Sequence, residues 1–384
     1  MGCTSQRRFL CGRAAKLFFC FYNCVMVIPC FFQSLLATKS KPLVKENPTI
    51  LLCCFASLGD VLLASFIISA LKGRWPCAKI GFVCSPGALP ILDIVKKVDF
   101  VHTVPYWMKK NKIQSIFSLM YHSWFVYPRT VKEIKGLDYD ISFELHPFFP
   151  NTIPLAKRAK IPYRIGFTSG GYEILLTNPV DLPKKIEYLP RLYARLLSSL
   201  GEGWGELSAD LQISASEGFC KEPYLVLHMG TSDPRKEWNP QHWHEVAKTL
   251  KEQGHTLVFT GKGAHDMELF HKASLGDLGV NLIDRLDCKE FASLINRAKA
   301  LLSVDSIPIH LAAALKVPFI GLYLYNEGVE FWLPDSSTSF LLVSSQCFRR
   351  NGKENHPRAI YLEEVKPQYV LAKMSNLLDG MFIL

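Results

Sequence analysis

Short apolar runs recur along the chain from Thr49 onward, each followed by a turn and then by a stretch with helical spacing. Unbroken apolar runs of this length are the pattern of strands buried on both faces of a parallel sheet, with the helical stretches as crossovers. The first run is Thr49–Phe55. After a turn at 56–60 come a helix to about Lys72, a strand over Lys79–Cys84, a turn and helix from Pro86, and a short strand over Val98–Val104. Tyr139–Leu145 and Tyr163–Phe167 read as strands around a helix from about Asn151 to Ala159, and Glu187–Leu200 reads as a long helix. The rhythm then repeats. Strands are expected at Tyr224–His228, His255–Thr260 and Val280–Ile283, up to Val304, and at Phe319–Gly321. Helices are expected over Pro240–Gln253, Asp266–Ala273, Cys288–Ala298 and Ile307–Lys316. Alternation of this kind predicts an α/β, doubly wound architecture.

Three stretches break the pattern. Gly201–Pro223, with Gly203, Gly205 and scattered serines, reads as a domain boundary, and Tyr106–Gly136 as an aromatic, basic insertion without a clean period on the acceptor side of a cleft. Residues 1–45 differ from all that follows. The expected organisation is a membrane-associating segment at 1–45, a Rossmann-like domain at 46–205, a second at 206–345, and a helical tail at 346–384. The tail is expected to pack back across the first domain.

Charge and cysteine usage sharpen the reading of the leader. Of 44 Lys and Arg, seven (Arg7, Arg8, Arg13, Lys16, Lys39, Lys41, Lys45) lie in the first 45 residues with no acid. The rest of the chain then carries 37 basic against 34 acidic groups, so the net charge of +10 gives no argument for nucleic-acid binding. Leu17–Leu36 is almost wholly apolar and long enough to span a bilayer, but Asn23, Pro29 and Gln33 interrupt it, so an interfacial anchor fits equally well. Gln6 stands where a Met-Gly lipidation signal has Ser or Thr, and no small-x-small cleavage site follows the apolar run. Seven of the twelve cysteines fall within the first 54 residues; none forms a CxxC pair, and they are expected to be reduced thiols in the cytosol.

Candidate chemistry sits on loops at the carboxyl ends of the strands: Asp60, Gly230-Thr231-Ser232 with Lys236, Gly261 to Asp266, and Asp305 to His310. Asp305 and Ser306 are good N-caps for a helix with Pro308 in its first turn, and such a helix end suits a phosphate. A plain capped βαβ unit is the alternative there, helix capping is the alternative for Asp60, and turn formation the alternative for Thr231 and Ser232. Trp238 and Trp243 are expected to pack rather than touch ligand. The Asp138-x-Asp140 pair leads into a strand and is not expected to hold a metal, and His122, His146, His242 and His244 are scattered.

Five motifs in order, LGDVLL (58–63), YRIGF (163–167), HMGTSDPRKEWNPQHW (228–243), TGKGAHDMEL (260–269) and DSIPIHLAAALKVPFIGLY (305–323), resemble the family 9 glycosyltransferases, the lipopolysaccharide heptosyltransferases. The resemblance covers roughly 49–334. It implies a GT-B fold, with two Rossmann-like domains facing across a cleft, and inverting transfer without a metal or separate cofactor. It further implies a nucleotide-sugar donor, with ADP-heptose favoured, and a lipid-linked oligosaccharide acceptor such as lipopolysaccharide core, at the cytoplasmic face of the inner membrane. By the same resemblance Asp60 is the base on the acceptor hydroxyl and Lys236 meets the donor diphosphate. Thr231, Ser232, Asp305, Ser306, Ile307 and His310 line the donor site, Asp266 or its neighbour His265 meets the donor ribose or sugar, and Lys157, Arg158 and Arg164 lie on the acceptor half. The sequence departs from the family at Ile307, where the family has glycine, and at Glu144-Leu145-His146-Pro147, where it has Asp-x-Gln-Gly. Ile307 motivates the alternative of a catalytically inactive, membrane-anchored protein that binds a nucleotide sugar or a glycan. A sugar-nucleotide epimerase is the rival enzyme class, and it would act without any acceptor.

Overall fold

A computed structural model describes residues 45–104, 108–109, 112–113, 126–148, 152–170, 172–213, 223–325, 328–334, 339–343, 362 and 365–380. The expected membrane segment and most of the aromatic insertion lie outside these residues. Among the described residues no helix is long and apolar enough to cross a membrane. The chain divides into two units, Met1–Leu211 and Gln212–Leu384.

The first unit runs β1 (Thr49–Cys53), α1 (Leu58–Ser65), α2 (Ile67–Arg74), β2 (Lys79–Cys84), α3 (Leu89–Leu92), β3 (Phe100–Thr103), β4 (Met108–Lys109), β5 (Lys112–Ile113), α4 (Tyr127–Gly136), β6 (Ile141–Glu144), α5 (Ile153–Arg158), β7 (Tyr163–Phe167), β8 (Asn178–Val180) and α6 (Leu189–Ser198). Six strands form a sheet in the order β3-β2-β1-β6-β7-β8, with every neighbouring pair parallel. The apolar runs are buried as their pattern requires. Leu51, Cys53 and Val83 pack with Tyr127 and Ile134 of α4 and Leu155 and Ala156 of α5.

Several elements of this unit differ from the sequence reading, among them α4 and β8. Helix α4 falls inside the stretch read as an insertion; Tyr127, Thr130 and Ile134 are its buried stripe at i, i+3 and i+7, and Pro128 is tolerated in its first turn. Strand β8 contains Pro179, which an edge strand accepts because its N–H side needs no partner. The unit also runs past residue 205. Val95 bridges Leu211, Lys96 N–H donates to the Asp210 carbonyl at 2.9 Å, and the Asp210 carboxylate lies 3.3 Å from Lys96 and 2.8 Å from Lys97.

The second unit runs β9 (Tyr224–His228), α7 (Pro240–Glu252), β10 (Thr256–Thr260), α8 (Ala264–Lys272), β11 (Val280–Asn281), α9 (Cys288–Arg297), β12 (Ala300–Val304), α10 (Ile307–Ala314), β13 (Phe319–Tyr323), β14 (Ser339–Val343) and α11 (Pro367–Leu378). Its sheet has the order β11-β10-β9-β12-β13-β14, again parallel between all neighbours. Strand β14 was not expected. Helix α11 enters the core of its own unit: Val370, Met374 and Leu377 join Trp243, Val246 and Leu250 of α7.

Both sheets reverse their winding at one place, between β1 and β6 in the first unit and between β9 and β12 in the second. Connections leaving two such strands diverge to opposite faces and leave a crevice at the carboxyl ends. The candidate residues lie mainly on the connections that follow these four strands.

Candidate active site

In the first unit, Asp60 is the third residue of α1, just beyond the carboxyl end of β1. The helix starts at Leu58 rather than Val61, so Ser57 is the N-cap. Asp60 reaches back to it: the Ser57 hydroxyl and N–H donate to Asp60 Oδ2 at 2.6 and 3.1 Å. Capping and carboxylate chemistry are therefore one arrangement, since the cap fixes the orientation of a carboxylate that is almost buried.

Glu144 ends β6 on the other side of the same switch point, in register with Cys53. Burial pushes its carboxyl up to about 7, against hydrogen bonds from Thr152 and His146. Burial also drives the Cys53 and Cys54 thiols and the Tyr193 hydroxyl upward, so these groups stay protonated at neutral pH. The described cysteines 53, 54, 77, 84 and 288 are free thiols.

The basic residues on this half are braced locally. Arg164 donates to the carbonyls of Leu175 at 2.7 Å, Pro162 at 3.3 Å and Ile161. The Arg158 guanidinium lies over the Tyr127 ring, 5.6 Å from its centroid, and Lys157 is half-buried. Asp140 Oδ2 accepts the Thr49 N–H at 2.9 Å and its Oδ1 pairs with Lys45 at 2.7 Å, which gives the second acid of the Asp-x-Asp pair a structural task.

In the second unit, the loop after β9 and the turn after β12 meet. Lys236, on a short 3-10 turn over Pro234–Lys236, places Nζ 2.6 Å from Asp305 Oδ2. Asp305 is 8% exposed and the Lys236 side chain 27%, so the ammonium stands at the edge of solvent over a buried carboxylate. Asp305 N–H continues the ladder to the Leu322 carbonyl at 2.8 Å, and Ser306 in extended geometry opens α10 with Pro308 in the first turn. A lysine beside a helix N-terminus concentrates positive potential where an anion can settle. Ile307 is half-buried at the first helical position and is absent from the residues with positive φ. The backbone there needs no glycine, so the departure from the family pattern carries no left-handed strain. His310 is buried on the same helix.

Thr231 serves a turn, accepting the Asp233 N–H at 3.3 Å, and Ser232 is exposed. Asp233 accepts the Arg235 N–H at 3.1 Å and pairs with its guanidinium at 2.6 Å, stiffening the stretch that carries Lys236. Asp266 is buried, its Oδ2 accepting the Lys262 N–H at 2.7 Å. A Cβ added at Gly230 would lie 2.0 Å from that oxygen and one at Gly261 2.8 Å, so these two glycines exist to admit the carboxylate. His265, half-exposed, turns the other way and meets Glu237 Oε1 at 2.7 Å. Trp238 and Trp243 are core residues, with ring centroids 5.1 Å apart and the Trp238 Nε1–H donating to the Val365 carbonyl at 2.8 Å.

Glu237 and His228, absent from the sequence candidates, and Glu144, met there only as a departure from the family pattern, lie at these strand ends and loops. His228 ends β9 with Nδ1 2.9 Å from Thr260 Oγ1 and a bond to the Gly230 backbone; burial lowers its pKa to about 4, so the ring is neutral. A polar residue closing an otherwise apolar strand is the signal that would have singled out Glu144 and His228.

Comparison with known proteins gives a consistent family. The model of glycosyltransferase family 9 (heptosyltransferase) matches residues 129–356. Lipopolysaccharide heptosyltransferase 3 of Escherichia coli is 23% identical over 345 residues, covering 84% of this chain and 97% of that protein. Lipopolysaccharide heptosyltransferase 2 of Salmonella typhimurium is 24% identical over 357 residues, covering 84% and 96%. Among solved structures, a family 9 glycosyltransferase from Veillonella parvula has a TM-score of 0.71 at 20% identity, covering 89% of this chain and 100% of its own. The E. coli ADP-heptose lipopolysaccharide heptosyltransferase II has a TM-score of 0.66 at 21% identity, covering 86% and 99%.

Proposed function

Because the chain belongs to glycosyltransferase family 9, the heptosyltransferases, we propose that it moves heptose from ADP-heptose onto a lipid-linked glycan of the lipopolysaccharide-core type. The names of its relatives, lipopolysaccharide heptosyltransferases 2 and 3, support that donor and acceptor class. In this reading Asp60, oriented by Ser57, takes the proton of the acceptor hydroxyl as its oxygen attacks the anomeric carbon. The sugar–phosphate bond breaks on the opposite face, so the configuration inverts. Lys236 and the Ser306 end of α10 hold the departing diphosphate, which gives the leaving group a fixed positive charge without a metal ion or other cofactor. Thr231 and Ser232 flank the same phosphates, with Ile307 and His310 closing the side formed by α10. Asp266 supports the donor loop from behind through Gly230 and Gly261. The apolar, basic leader would hold the enzyme at the cytoplasmic face of the inner membrane, where such acceptors are assembled.

The observation that carries the proposal is the 2.6 Å contact of Lys236 with Asp305 at the mouth of α10, on two loops that leave a switch point. A thermal-shift screen with ADP-, UDP-, GDP- and CMP-sugars tests it, because a ligand bound only by the folded state raises the midpoint. ADP-heptose is expected to give the largest shift; a shift with none of the four removes the donor site.

A further inference from the structure

Glu237 follows Lys236 directly, and the two side chains part. Lys236 reaches Asp305 at the end of β12, whereas Glu237 turns to the β10 side, where Oε1 lies 2.7 Å from His265 Nε2. A carboxylate can only accept, so the His265 Nε2–H is the donor. The backbone on either side is fixed. The Glu237 N–H donates to the Pro234 carbonyl at 3.3 Å, and Trp238 is sunk in the core with its Nε1–H on the Val365 carbonyl at 2.8 Å. The Glu237 side chain is 20% exposed, and its Oε2 has no partner among the described residues.

The other acids on the connections that leave β9, β10, β11 and β12 already have tasks. Asp233 grips the Arg235 guanidinium with both oxygens, and Asp284 accepts the Gly263 N–H with both, at 2.9 and 3.0 Å. Asp287 caps α9, and Asp305 pairs with Lys236. Asp266 is 7% exposed, its Oδ2 turned in against Gly230 and Gly261. Glu237 is therefore the acid on these loops that combines solvent access with an open acceptor oxygen.

Its place matters as much as its chemistry. The Lys236 and Glu237 contacts leave β9 toward its two neighbours, and neighbouring strands stand about 4.8 Å apart. A diphosphate held at Lys236 and the mouth of α10 thus puts the adjoining ribose at the reach of Glu237. A bare carboxylate beside a diphosphate is repelled. Ribose hydroxyls are neutral donors that turn this charge to use, and a carboxylate is a suitable acceptor for them.

We propose that Glu237 is a specificity-determining residue for the donor: Oε2 accepts the ribose hydroxyls while His265 retains Oε1, so that the second unit selects ribonucleotides over deoxyribonucleotides. The inference rests on the reading of this unit as the donor half.

The test is calorimetric titration of ADP, 2′-deoxy-ADP and 3′-deoxy-ADP into the full chain. Wild type is expected to bind ADP about 10- to 100-fold more tightly than at least one of the deoxy analogues, the worth of a hydrogen bond to a charged group. Glu237→Ala is expected to bind ADP as weakly as wild type binds that analogue, and to bind the analogue with wild-type affinity, which also shows that the variant is folded. Glu237→Gln, which keeps an acceptor oxygen without the charge, should fall between the two. Wild-type discrimination in Glu237→Ala overturns the proposal, because the ribose is then read elsewhere. Equal weakening of all three ligands overturns it by reducing the contact with His265 to a loop latch, and tighter binding of all three does so by leaving a carboxylate that only repels the diphosphate. Wild type that binds ADP and both analogues equally overturns it and leaves the donor reading intact, whereas wild type that binds no ADP overturns the donor reading and this inference together.

Discussion

The two sheets share one topology and one switch-point geometry, yet they treat the acids at their carboxyl ends in opposite ways. In the second unit Asp305 is matched by a cation, Lys236 at 2.6 Å. In the first unit Asp60 and Glu144 are met by neutral donors, the Ser57 hydroxyl and N–H and the Thr152 hydroxyl and N–H. A cation held at a helix end is suited to receive an anionic leaving group, whereas burial raises the Glu144 carboxyl to about 7, where it can exchange a proton near neutral pH. In the proposed reading, similar architecture serves as a phosphate-holding end in one unit and a proton-handling end in the other.

The largest expected effect of breaking this contrast comes from Asp60→Asn, which keeps the cap geometry and removes the proposed base. Steady-state transfer should fall by roughly 10²–10⁴-fold. Lys236→Ala should lower kcat/KM by about 10²–10³-fold as ADP release loses its fixed charge. That variant also leaves the Asp305 carboxylate buried and unpaired, so its second unit should melt earlier than wild type, and adding Asp305→Asn should restore part of the loss. Gly230→Ala drives a methyl onto the Asp266 carboxylate and should destabilise the second unit by about 1–3 kcal/mol in denaturant titration. Adding Asp266→Ala should relieve part of that cost.

The smallest effect concerns Glu144 and stability. Its folded carboxyl is raised from 4.5 to about 7, so its contribution is complete below 4.5 and is lost as pH rises through about 7. Between pH 6 and pH 8 the wild-type midpoint should therefore drop by roughly 2–4 °C relative to Glu144→Gln. Parallel midpoints for the two proteins would show that Glu144 does not titrate in that range.

Legibility followed the physics of each segment. Buried strands such as Tyr224–His228 and Lys79–Cys84 could be bounded from the sequence because burial on both faces leaves an unbroken apolar run. Helix α4 was hidden because its stripe of Tyr127, Thr130 and Ile134 is broken by Pro128 and preceded by aromatics. Edge strands β8 and β14 were hidden because an edge need be buried on fewer sides. At the site, loop position was legible and side-chain direction was not. Asp266 and His265 are adjacent, but only the glycines at 230 and 261 determine which of them turns inward. Ile307 looked like an obstacle because a glycine in a loop implies left-handed backbone; its residue lies outside that region. The meeting of Lys236 with Asp305, separated by 69 positions, depends on strand order, which no local pattern encodes.

The division of labour between the two ends is tested most directly by calorimetric titration of ADP into wild type, Asp60→Asn and Lys236→Ala. The account predicts that Asp60→Asn binds ADP as wild type does while failing to transfer heptose, and that Lys236→Ala binds at least about tenfold more weakly. Equal weakening of ADP binding in both variants, or wild-type binding in Lys236→Ala, would contradict it.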